Sequence, residues 1–129
     1  MNETRAAVSL PIELLRGYHA LAGASNPIHV DYDSARQRGL RDPLAHGNLV
    51  IILIMQRFFR LVVGRALDSY EMNAKFIRPI YAGDAADIVF TESIGSENAS
   101  REWVFSVRVS GTDCIVGTIT VSKELEGIL

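Results

Sequence analysis

The sequence predicts an α+β domain, an antiparallel sheet curled around one long and very apolar helix. Three observations carry this. Residues 49–55 are continuously apolar within a run of helical periodicity. From residue 70 the hydrophobic period changes from 3.6 to 2 and stays there to residue 121. Short polar connections separate the alternating runs, as in hairpins.

The elements follow in chain order. Ser9 can cap a short helix, with Pro11 near a first turn where the missing N–H costs nothing. Leu14, Leu15, Tyr18, Leu21 and Ala22 mark one face of that helix, Gly17 weakens its interior and Gly23 ends it. Residues 24–46 read as irregular, apart from one helical turn at about 33–38. The central helix is expected from Gly47 or Asn48 to Val63, stopping near Gly64. Its polar positions, Gln56, Arg57 and Arg60 with Gly64, share one stripe, so most of its circumference is expected to be wrapped.

Four strand-like runs follow. Tyr70, Met72, Ala74 and Phe76 form one side of the first, and Ile88, Phe90, Glu92 and Ile94 one side of the second. Trp103, Phe105, Val107 and Val109 supply the third, and Ile115, Gly117, Ile119 and Val121 the fourth. Polar stretches at 81–84, 95–100 and 110–113 separate them. The pattern leaves open whether a further strand precedes Ser9. A curled sheet exposes an edge, so pairing with a second copy or a similar domain is the default.

At 129 residues, 48% hydrophobic and 22% charged, the chain reads as one domain spanning 1–129. A net charge of −2 argues against a nucleic-acid partner. The basic residues are concentrated before residue 66 and the acids after it; surface variation or a basic rim for a phosphate-bearing ligand would account for that. Cys114 alone supports neither a disulfide framework nor a thiolate cluster and reads as a small buried hydrophobe. The first ten residues lack the features of a signal peptide, and the run at 49–55 is far short of a membrane span. A soluble, cytoplasmic protein without membrane partners is expected.

Two places can carry chemistry. Asn26–Pro27 fixes a turn, since Pro27 locks its own φ and moves Asn26 away from helical geometry. That turn would aim His29, which titrates near neutrality as a proton-transfer group must. Asp31 either orients the ring or is a surface turn acid. His46–Gly47 precedes the central helix, whose first N–H groups have no internal acceptor and whose dipole is positive there. Gly47 would let a carbonyl approach that backbone and be stabilised as it gains enolate charge. Gly-rich phosphate loops, HExxH and serine elbows are missing, and His19, His29 and His46 lack zinc-ligand spacing.

With both places in hand, the chain resembles the MaoC-like hydratase/dehydratase family. The family pattern Gly-Asp-x-Asn-Pro-x-His-x-Asp reads here Gly23-Ala24-Ser25-Asn26-Pro27-Ile28-His29-Val30-Asp31, followed by Ala35 and His46-Gly47. A second signature, Lys-Phe-x-x-Pro-Val-x-x-Gly-Asp, reads Lys75-Phe76-Ile77-Arg78-Pro79-Ile80-Tyr81-Ala82-Gly83-Asp84. The likeness spans roughly residues 10–122.

The resemblance implies a single hot-dog domain, working as a homodimer or paired with a homologous hot-dog subunit. It implies reversible hydration of a 2-enoyl thioester of coenzyme A or acyl carrier protein to the (R)-3-hydroxyacyl form, with no cofactor or metal. By the same resemblance His29 is the acid/base, Asn26 holds its loop and the Gly47 N–H receives the thioester oxygen. Ser25, Asp31 and His46 are supporting candidates. One position departs from the pattern: the family's catalytic Asp falls on Ala24. That leaves two alternatives beside the dehydratase: a thioesterase, isomerase or cyclase on a polyketide-like acyl thioester, or a non-catalytic acyl-binding subunit.

Overall fold

The computed structural model describes residues 3–93 and 100–122. Strand β1 (Glu3–Ser9) leads into helix α1 (Ile12–Leu21), a 3-10 turn (Pro27–His29) and helix α2 (Tyr32–Gln37). Helix α3 (Gly47–Arg57) continues as a π-helical turn (Phe58–Val63). Strands β2 (Glu71–Phe76), β3 (Ala85–Glu92), β4 (Ser100–Val109) and β5 (Thr112–Ser122) complete the order. The sheet runs β1-β3-β4-β5-β2, and every pairing is antiparallel.

The first strand answers the question left open at the N-terminus. Ala6 and Val8 are buried, and β1 pairs with β3 from Glu3↔Thr91 to Ser9↔Ala85. Ser9 is therefore a strand residue and does not cap α1, correcting the expectation. The chain enters that helix through Pro11, with extended backbone and no side-chain cap. Pairing with β3 engages the backbone through Ser9 and moves the helix start downstream.

Helix α3 begins at Gly47, and the helical run stops at Gly64, whose N–H bonds Phe59 O five residues back at 2.8 Å. The wider last turn keeps Phe58 fully buried, edge-on to Trp103 at 5.1 Å and tilted against Phe90 at 5.6 Å. Leu49, Val50, Ile54 and Met55 complete the buried face, in one core with Leu15 of α1 and the inner sides of β3, β4 and β5. The polar stripe is open, as its composition requires, but wrapping is less complete than expected. Ile52 lies on that stripe with Asn48, Gln56 and Arg60 and is 53% exposed.

Strands β4 and β5 place their expected sides inward: Trp103, Phe105, Val107, Ile115, Ile119 and Val121 are all buried, as is Cys114. Their hairpin is tighter than the polar stretch suggests. Only Ser110 and Gly111 lie between the strands, both at positive φ (52° and 76°), the backbone of a two-residue type I′ turn. Ile94 and most of the 95–100 connection fall outside the described residues. Phe76 keeps its predicted side but not the expected burial. Met72 and Ala74 are half-buried, but Phe76 is 54% exposed, because it ends an edge strand and reaches past the core. Among the described residues no helix is long and apolar enough to cross a membrane.

Candidate active site

Local chemistry builds the loop that carries His29. The Asn26 side-chain oxygen accepts the Ile28 N–H at 3.2 Å, and Pro27 opens the 3-10 turn that ends on His29. The Asp31 carboxylate accepts the N–H and hydroxyl of Ser34 at 2.9 and 2.7 Å, capping α2 and holding its own pKa below the usual carboxylate value. Asp31 thus caps α2, and among the described residues its hydrogen bonds go to Ser34 and not to His29. Ser25 is exposed, and Ala24 is half-buried with its N–H bonded to His19 O at 3.2 Å.

A second segment meets this loop. Leu44 N–H bonds Ile28 O at 2.9 Å, while Ala45 N–H and Ala82 N–H bond Ile80 O and Pro43 O, each at 2.8 Å. The extended stretch before α3 is thus laced to the His29 turn on one side and to residues 80–82 on the other. Leu44 O lies 2.6 Å from His29 Nδ1. A carbonyl only accepts, so Nδ1 carries the proton and donates it, leaving the Nε2 lone pair of neutral His29 available to a substrate.

The second signature does structural work at the same place. Tyr81 N–H donates to the Asp84 carboxylate at 2.8 Å, and Arg41 reaches the other oxygen of Asp84 at 2.7 Å while covering the Tyr81 ring. Leu10 and Gly83–Asp84 exchange backbone bonds of 3.0 and 2.8 Å, tying the turn to the end of β1.

His46 is the N-cap of α3 but makes no side-chain cap. Its ring instead lies against that of His29, with centroids 3.6 Å apart and planes 20° from parallel. His19, from α1, joins them through a 3.0 Å contact between its Nδ1 and His46 Nε2. Sequence spacing gave no reason to expect His19 here. The available signal was helical: His19 stands four residues after fully buried Leu15, on the inward face of α1. Although three histidines meet, no group of His, Cys, Asp or Glu among the described residues is arranged to hold a metal ion.

Burial, and then the neighbouring His29 and His19, push the His46 imidazole below the ordinary histidine value. A lowered value means that the unfolded chain takes up this proton at a pH where the folded chain refuses it. The stability concerned is complete above about pH 6.5 and is lost as the pH falls through it toward the folded-state value. Thermal melts should therefore show Tm declining below about pH 6.5, and His46→Gln should flatten that decline. An equally steep decline in the variant would assign the effect to other groups.

The first intrahelical bond of α3 runs from Val50 N–H to His46 O at 3.2 Å, so the Gly47 amide precedes the ladder. Beside it opens a cavity of about 360 Å³, walled by Leu44, Ala45, Gly47, Val50, Phe76 and Ile115 among others. The Phe76 ring covers Gly47 closely, and a β-carbon built there would stand 3.3 Å from it. His29 is not part of that wall. It is coupled to the cavity through Leu44, which lines it, and through His46, which precedes Gly47.

A family model described as "MaoC like domain" matches residues 3–113. The chain belongs to the MaoC-like domain family. Solved structures agree on the hot-dog fold. The (R)-hydratase from A. caviae involved in PHA biosynthesis superposes with a TM-score of 0.79 at 16% identity, covering 92% of each chain. R-hydratase PhaJ1 from Pseudomonas aeruginosa gives 0.80 at 19% identity, over 94% of this chain and 79% of that one. A chain of the HadBC (3R-hydroxyacyl-ACP dehydratase) complex from Mycobacterium tuberculosis gives 0.72 at 17% identity, over 92% of each. No curated protein matches the sequence. Within the MaoC-like frame, the Asn-Pro-x-His turn and the His-Gly helix start are the two places that the sequence singled out, and the fold brings them into contact.

Proposed function

We propose that this protein interconverts 2-enoyl and 3-hydroxyacyl thioesters carried on coenzyme A or acyl carrier protein. One observation carries the reading: the short segment 44–47 holds an imidazole of fixed tautomer at Leu44 and an amide ahead of the helical ladder at Gly47, and both of these segment residues line a largely apolar cavity. In hydration, water bonds to C3 of the enoyl group as His29 Nε2 takes its proton. Negative charge then grows on the thioester oxygen, where the Gly47 N–H and the positive end of α3 stabilise it. The imidazolium returns the proton to C2, and the 3-hydroxyacyl thioester leaves. One base serves both steps, because position 24 offers no carboxylate. Asn26 keeps the turn in shape.

The protein works as a pair, with a second copy or a homologous subunit. Supporting this are the unprotected edge strand β2 and the exposed apolar residues Phe76 and Ile77 at its end. The neighbouring structures include the HadBC complex, in which dehydratase chains associate. Ala24 favours a second reading, a subunit that binds acyl chains without turning them over.

Incubation with a panel of enoyl thioesters, followed by loss of enoyl absorbance and chiral analysis of the product, tests both readings; light scattering gives the assembly mass. Turnover by the chain alone is expected, with Ala24→Asp raising kcat by about tenfold or more as a second base joins in. Turnover that appears only after a homologous subunit is added and that survives His29→Ala in this chain would replace the enzyme reading with the binding one. Release of free thiol would mean thioester hydrolysis.

A further inference from the structure

His19, His29 and His46 come from α1, from the 3-10 turn and from the start of α3, and all three are half-buried. The His46 ring has Tyr18 at 5.2 Å, tilted by 58°, as well as its near-parallel contact with His29. The His19–His29 centroids are 6.1 Å apart, so His19 reaches His29 chiefly through His46. The ring nitrogens are bound in sequence: His29 Nδ1 to Leu44 O, and His46 Nε2 to His19 Nδ1. His46 makes no cap to its own helix, so the bond to His19 is what sets its ring orientation.

The charged groups nearby are engaged elsewhere. Arg16, three residues before His19 on α1, donates to Val30 O at 3.1 Å, and Asp31 is held by Ser34. With no carboxylate among the described residues bonded to the rings, a proton's charge on one imidazole opposes charge on the next, and burial at His46 adds to that opposition. One N–H shared between His19 Nδ1 and His46 Nε2 fits this surrounding, and such sharing couples the tautomer of one ring to that of the other.

We propose that His19 is a positioning residue for His29: its bond to His46 holds that ring flat against His29 and so aims His29 Nε2 at the acyl group. This rests on the hydratase reading of the site. It gives α1 a part in catalysis, and it supplies the orientation that a carboxylate beside the imidazole would otherwise provide.

Two substitutions separate positioning from packing. His19→Phe keeps a flat ring but has no nitrogen to bond His46, whereas His19→Asn places an amide near the Nδ1 position. His19→Phe should lower kcat by about tenfold to a hundredfold with KM within about twofold. Nitrogen-15 spectra should show the His46 imidazole losing its hydrogen-bonded Nε2 signal in that variant, and the His29 Nε2 signal shifting as the ring stacked on it is released, while Leu44 O still holds the His29 Nδ1–H. His19→Asn should recover most of both. Unchanged kcat and unchanged His29 signals in His19→Phe would overturn the proposal, as would a His19→Asn variant as impaired as His19→Phe. The unaltered protein gives an arm independent of folding in the variants: near pH 7.5, His19 Nδ1 and His46 Nε2 should show a hydrogen-bond coupling to each other, and signals from both rings matching those of free imidazoles in water would sink the idea. If the unaltered protein turns over no thioester, the functional reading fails by itself, and the imidazole spectra still decide whether His19 orients His29.

Discussion

Replacing His29 with alanine is expected to lower enoyl-thioester hydration by about 10²–10⁴-fold, the usual contribution of a positioned proton-transfer group. The proposed step gives this one imidazole both transfers, from water and to C2, and Ala24 leaves no second carboxylate to cover the loss. The fold itself should survive. His29 is half-buried, and its removal leaves Leu44 O without this donor, at a cost of about 1 kcal/mol that entering water can reduce. Steady-state kinetics beside a thermal melt of the same sample make the check. Hydration within about tenfold of the unaltered protein, with the fold intact, would remove His29 from the mechanism and leave the cavity as a binding site only.

The parts of this molecule that were legible in the sequence are those determined within a few residues. Asn26 and Pro27 act on their own neighbours, so the turn ahead of His29 could be read from residue types, and the Ile28 N–H bond realises it. The helix from Gly47 to Val63 is set by its apolar run and by Gly64, and the period-2 strands by their alternation. What was illegible depends on distant partners. Ser9 has the chemistry of a helix cap, but pairing with Ala85, far along the chain, draws it into a strand. Arg41 and Asp84 are 43 residues apart, and neither carries a local sign of the other. His19 was half-legible: helix periodicity turns it inward, while only the fold shows that what it meets is His46. Phe76 follows the alternation of its strand yet lies over Gly47, because an edge strand end has no core beneath it.

Gly117→Ala should be the most damaging single methyl in the described sheet. Gly117 lies in β5 between Ala74 of β2 and Phe105 of β4. A β-carbon there would collide with the Asn73 backbone oxygen and stand 2.7 Å from the Phe105 ring. Phe105 is 1% exposed and packed in the core, so its ring has nowhere to retreat, and a backbone oxygen in a strand pair has no rotamer to change. The missing side chain is therefore the space that the buried ring occupies. Overpacking of this kind costs about 2–3 kcal/mol, which for a chain of this length lowers Tm by roughly 10 °C. The same substitution at Gly17 supplies the control. That position is inside α1 with nothing within 4 Å of a built β-carbon, so alanine should stabilise the helix by about 0.5–1 kcal/mol. Calorimetry on the two variants should move Tm in opposite directions. If Gly117→Ala melted within about 2 °C of the unaltered protein, β2 and β5 would not be held as close in solution as this register requires.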